Sequence, residues 1–123
     1  MAVGPWEERA AAGEVLAQKA GSDVDMRLLE LLLDPEDTAV TFRTAAALLK
    51  QRTVEAFRLL VLAAGKTDDS HRDWIGDAVD EFIDQAHGEA QPFLRQALVT
   101  IRNGDDPACS QAARDWEAWY RWS

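Results

Sequence analysis

The stretch LLLDPEDTAVTFRTAAALL, from Leu31 to Leu49, closes one apolar run, breaks it at Asp34-Pro35 and opens another. Proline lacks the backbone N–H that a helix interior needs and disfavours helical backbone at the residue before it, so the break is a helix stop. Asp37 and Thr38 have the side-chain oxygens that restart a helix by accepting its first free N–H groups. The segment therefore reads as two short helices joined by a tight turn. What recurs elsewhere decides whether that turn stands alone. Acidic breaks fall at Asp34, Asp69 and Asp106, spaced 35 and 37 residues apart, each between an apolar segment and an amphipathic one. A period in the thirties with two helices per unit is the mark of a helical array.

Punctuation along the chain agrees. Pro5 opens a segment that Gly21 closes, and Ser22 with Asp25 forms a capping-box pattern before VDMRLLELLLD. The next helix starts at Asp37 or Thr38 and runs to about Lys50. Thr53 caps VEAFRLLVLAAG, with Gly65 as its expected stop. Ser70 with Asp73 makes a second box for a helix to about Ala86. Gly88 precedes EAQPFLRQALVTIRN, which Gly104 ends, and Asp106-Pro107 opens a last helix to about Arg121. Almost nothing alternates with period two. The expected class is all-α, with seven short helices.

Bulk properties narrow the setting. The 123 residues suit one domain, and 47% apolar content is enough for a sizeable core. A net charge of -9 repels phosphate, which argues against nucleic acid as a partner. The apolar runs are too short to span a bilayer, and the acidic N-terminus lacks the basic start of a signal peptide. A single cysteine, Cys109, excludes an internal disulfide, and with only His71 and His87 it cannot complete a structural zinc site. The expectation is a cytoplasmic protein without cofactor or metal.

The stretches LLLDPEDTAVTFRTAAALL and IRNGDDPACSQAARDWEAW resemble HEAT repeats. In that family Asp-Pro begins the second helix of each hairpin, and an Ala pair allows close helix packing. Asp34-Pro35 and Asp106-Pro107 match, with Ala45-Ala46 and Ala112-Ala113 downstream; the middle unit, KTDDSHRDW, keeps the acids and lacks the proline. The resemblance covers roughly residues 23 to 122. It implies a short right-handed α-solenoid of about three hairpins (22–52, 53–87 and 88–123) with a capping helix over 1–21, where Trp6, Gly13 and Leu16 cover the exposed end. It also implies a binding function rather than catalysis.

Helix faces mark the surfaces left for a partner. The segments VDMRLLELLL and VEAFRLLVLAA are apolar nearly all round, so both are expected to be buried on several sides. The second helices carry one apolar stripe each, which leaves their polar faces to line the open groove. In the middle one, Trp74, Ile75, Ala78, Val79, Phe82 and Ile83 share the apolar face. Opposite stand Asp73, Asp77, Asp80 and Asp84, with His87 continuing the line. Residues 68 to 89 hold eight acids and one base, Arg72. Like charges at i,i+4 cost roughly 0.2–0.5 kcal/mol each, and no base within the stripe offsets them. Three readings stand: a solvated face, a ridge for a basic partner, or a weak divalent-cation site.

Near the C-terminus, Trp116, Trp119 and Tyr120 fall on one stripe with Cys109, Ala112 and Ala113, which reads as core. Trp122 lies off that stripe as a candidate exposed anchor. Arg114 and Arg121 lie opposite the aromatics, and Arg43 and Lys50 flank the helix after Asp37, so the groove is expected to be acidic in the middle and basic at both ends. No phosphate-cradling loop, His-Glu-x-x-His or Gly-x-Ser-x-Gly motif is present. His71 and His87 lie about 24 Å apart along a helix, too far to share a ligand. The favoured reading is a non-enzymatic interaction module. The alternative is a bacterial immunity or antitoxin protein that blocks a basic toxin, and a metal-dependent enzyme is the least favoured.

Overall fold

The computed structural model describes residues 5–21, 23–34, 37–86 and 88–120. All regular structure among them is helical: α1 (Pro5–Leu16), a 3-10 turn (Ala17–Lys19), α2 (Asp25–Leu32), α3 (Thr38–Lys50), α4 (Val54–Lys66), α5 (Asp69–Gln85), α6 (Ala90–Arg102) and α7 (Pro107–Trp119). The all-α expectation and the seven-helix division both hold.

Side-chain caps set most of the starts. Asp37 accepts from the Ala39 N–H at 2.9 Å, Thr53 from Ala56 at 3.1 Å, and Asp106 from Ala108 at 2.9 Å. Each satisfies one of the donors that a helix start leaves free. The capping residue of α5 is Asp68, which takes the His71 N–H at 3.0 Å, rather than the expected Ser70. Asp is as good a cap as Ser, and starting earlier adds two residues to the helix. Before α2, Ser22 lies outside the described residues; Asp25 accepts the Gly21 N–H at 2.8 Å. Gly21 and Gly88 hold φ near +90°, a region where a side chain is strained, which suits them to the links before α2 and α6. Gly65 does not stop α4. It lies inside the helix, and a Cβ there would be 3.3 Å from that of Ala112, so its smallness serves the approach of α7.

The helices form two layers. Helices α2, α4 and α6 stack in order, while α1, α3 and α5 lie side by side in the second layer. Contacts in that layer step along neighbouring helices in the same direction. Ala10 clusters with Val40 and Glu14 pairs with Arg43. One helix further, Phe42 meets Trp74, Ala46 and Ala78 line one cleft, and Lys50 and Phe82 line the next. Helix α7 departs from this step. Its body packs on α4 and α6, with Gly65 near Ala112 and Phe57 against Trp116, and its end reaches α5.

Helix α4 is buried from several sides, as its apolar circumference requires: Phe57, Leu59, Leu60, Val61, Ala63 and Ala64 all lie in the core. Helix α2 is instead one-sided. Leu28, Leu31 and Leu32 are buried while Met26 is 78% exposed, because among the described residues α2 packs chiefly on α1, α3 and α4. Gly13 lets α1 close on α3; a Cβ there would collide with Thr44 Oγ1. Beneath α7, the fully buried Trp116 gathers Phe57, Trp119 and Tyr120 at ring-centroid distances of 5.2, 4.8 and 5.5 Å.

Candidate interaction surface

Helix α5 presents the acidic stripe. Ile75, Ala78, Val79 and Phe82 are buried, which fixes the helix rotation and turns Asp73, Asp77, Asp80 and Asp84 outward, all exposed. The stripe is not uniform. Asp80 accepts the Tyr120 hydroxyl at 2.5 Å, so one of its carboxylates is tied to the end of α7. Burial, with Asp80 adding to it, pushes the Tyr120 phenol well above its usual range, so it stays a donor. Beside it Gly76 lets Trp119 lie against α5, and the Arg72 guanidinium sits 5.8 Å over that ring. Asp73, Asp77 and Asp84 have no cation within ion-pair range among the described residues.

Trp74 stands on the rim of the same helix. It is 40% exposed, edge-on to Phe42 of α3 with centroids 6.4 Å apart, and not wholly inside the apolar face where helical spacing puts it. The reason is tertiary: α3 covers only one side of the Trp74 ring, which stays partly open to solvent at the seam between α3 and α5.

The basic residues are distributed unevenly. Arg43 is engaged with Glu14 of α1 at 2.6 Å, so its charge is met within the protein. Lys50 is exposed and shares a cleft with Ala46, Ala78, Glu81, Phe82 and Gln85, one turn from the stripe. Arg114 is exposed on α7, a helix that meets α5 through Trp119 and Tyr120 at its far end. Thus α3 and α5 bring Lys50 to the acidic helix, while Arg114 lies on the body of α7, which packs on α4 and α6. Arg121, Trp122 and His87 lie outside the described residues.

Sequence reading missed the role of His71. Its Nε2–H donates to the Asp34 carbonyl at 2.7 Å, and Nδ1 faces the Asp68 carboxylate at 3.3 Å. An acceptor at each ring nitrogen stabilises the imidazolium relative to the neutral ring. The Asp34 carbonyl is the main cause that raises the His71 pKa above its usual value, against the opposing effect of burial. Asp34 itself is buried, pairs with Arg9 Nε at 2.5 Å and takes the Asp37 N–H at 2.9 Å. The only local signal was position: a histidine three residues past a capping acid can reach that acid's carboxylate.

A second concavity lies between α4 and the α6–α7 turn, where Arg58 sits among Glu55, Asp105 and Asp106. Cys109 borders it. Burial pushes its thiol up and the Asp106 carboxylate adds to that, the reverse of what a nucleophilic cysteine requires. Among the described residues no three His, Cys, Asp or Glu side chains are grouped to hold a metal ion. None of the described helices is long and apolar enough to cross a membrane. No protein-family model matches the chain, and neither the curated proteins nor the solved structures contain a significant match.

Proposed function

We propose that the chain is a non-enzymatic protein-interaction module, a short HEAT-like α-solenoid whose second-helix layer carries the binding face. The observation that carries this reading is the row Asp73, Asp77 and Asp84: exposed, without a cation in ion-pair range among the described residues, and set on a helix whose rotation is locked by its buried face. Carboxylates held in a row at helical spacing repel one another, and a basic partner relieves that repulsion on docking. The step α1–α3–α5 supports the solenoid part, since successive helices of one layer meet in the same register sense. An immunity protein that blocks a basic toxin is the special case favoured by the chain-wide net charge of -9.

The test uses Asp77→Asn with Asp84→Asn, which spares the carboxylate that Tyr120 needs. Basic proteins captured from the native host should bind the variant more weakly, and the native chain should lose binding as salt rises, because screening shortens from about 10 Å at 0.1 M to about 3 Å at 1 M. The variant should also respond less to salt. Equal affinity and equal salt dependence would end this reading.

A further inference from the structure

The seam between α3 and α5 has relief as well as charge. At one end Phe42 and Trp74 stand together; one turn on, Ala46 and Ala78 leave a depression; at the next turn Lys50, Glu81 and Phe82 close it. From Phe42 to Lys50 the seam runs about 12 Å, two helical turns. Its α5 bank carries Glu81, with Asp77 next round the helix and Asp73 and Asp84 turned further toward the face opposite the core, all exposed, and its α3 bank carries Lys50, with Arg43 drawn toward Glu14.

Resting on the ridge reading above, we propose that this seam receives an amphipathic helix of a partner protein, basic along the flank that faces α5. The landmarks recur once per turn, the spacing at which a helix presents side chains on one face. Small residues between two parallel helices make the groove into which the ridge of a third packs. An aliphatic side chain of the incoming helix sits over Ala46 and Ala78, its neighbour covers Trp74, and Lys or Arg side chains meet Glu81 and Asp77. Trp74 is the anchor: a large ring, partly exposed and braced by Phe42, is the kind of residue that dominates helix-in-groove binding. The opposite concavity lacks this match, because Arg58 already sits among its acids. An intact second copy of the chain brings a further charge of -9 to an acidic bank, so like charges oppose self-docking.

The probe is a synthetic helical peptide with leucines on one face and lysines on the adjoining one, titrated into the full chain by fluorescence anisotropy. Its comparator has the same composition in scrambled order. The scrambled peptide should bind at least about tenfold more weakly, and so should the helical peptide to Trp74→Ala and to Ala46→Arg, a loss of about 1.4 kcal/mol in each case. Circular dichroism confirms that both variants fold. If both peptides bind alike and both variants bind within about twofold of native, the seam proposal falls. In that event Asp77→Asn with Asp84→Asn decides the ridge reading: weakened binding keeps it, unchanged binding removes it too. Peptide-induced amide shifts centred on Arg58 and Asp105 would also overturn the seam, as would a concentration-dependent dimer that Trp74→Ala abolishes.

Discussion

The Tyr120 hydroxyl donates to the Asp80 carboxylate at 2.5 Å, joining the end of α7 to the middle of α5 across 40 residues of chain. Tyr120 is the chain's sole tyrosine, so its ionisation can be read directly by ultraviolet absorbance. It should titrate above the usual phenol range in the folded protein and return to it in denaturant. Because the folded value is raised, the contribution is complete below about pH 10 and is lost as pH rises through the folded pKa. Tyr120→Phe should cost about 1 kcal/mol, since exposed Asp80 regains water. An unshifted titration would mean that the bond is absent in solution.

His71 bridges α5 to the turn before α3. Its folded pKa lies above the unfolded value of about 6.5, so its stabilisation is complete below that pH and fades as pH rises through the folded pKa. The native protein should therefore lose more melting temperature than His71→Gln between mildly acidic and mildly alkaline pH. His71→Ala should cost about 1–3 kcal/mol, because the half-buried Asp34 carbonyl loses its donor. Identical pH profiles for native and Gln forms would show that folding leaves the His71 pKa unshifted.

Gly13 and Thr44 set the distance between α1 and α3. Alanine normally improves a helix interior over glycine by about 1 kcal/mol. Here Gly13→Ala should destabilise by about 1–3 kcal/mol, because the new methyl meets Thr44 Oγ1. That hydroxyl is buried without a hydrogen-bond partner, so Thr44→Ala alone should be nearly neutral. Combined, the two substitutions should recover much of the loss. Denaturant melts of the four proteins give the coupling, and additive effects would place the helices further apart than described.

Trp116→Ala should cost about 3–5 kcal/mol, the range for removing a fully buried large aromatic. Phe57, Trp119 and Tyr120 all pack on that ring, so the loss should spread to the Tyr120 titration, which would move back toward the usual phenol value. A loss under about 1 kcal/mol would place the ring at the surface.

Much of this protein is decided by its sequence alone. Helix starts follow from Asp37, Thr53 and Asp106, and the Trp116 stripe from spacing, because capping and helical periodicity act within a few residues. The same local rules turned the four aspartates of α5 away from its apolar side. Other features had to wait for packing. Gly65 looked like a helix stop, yet it is where α7 approaches α4, a contact that depends on residue 112. Asp80 looked equivalent to Asp77 until Tyr120 arrived beside it, and Trp74 looked internal until α3 proved to cover one side of it only. His71 found its acceptor on a turn 37 residues earlier. Such pairings arise when distant helices are pressed together by burial of their apolar faces. Periodicity names the face that each helix buries, and only the assembled layers select the neighbour that covers it.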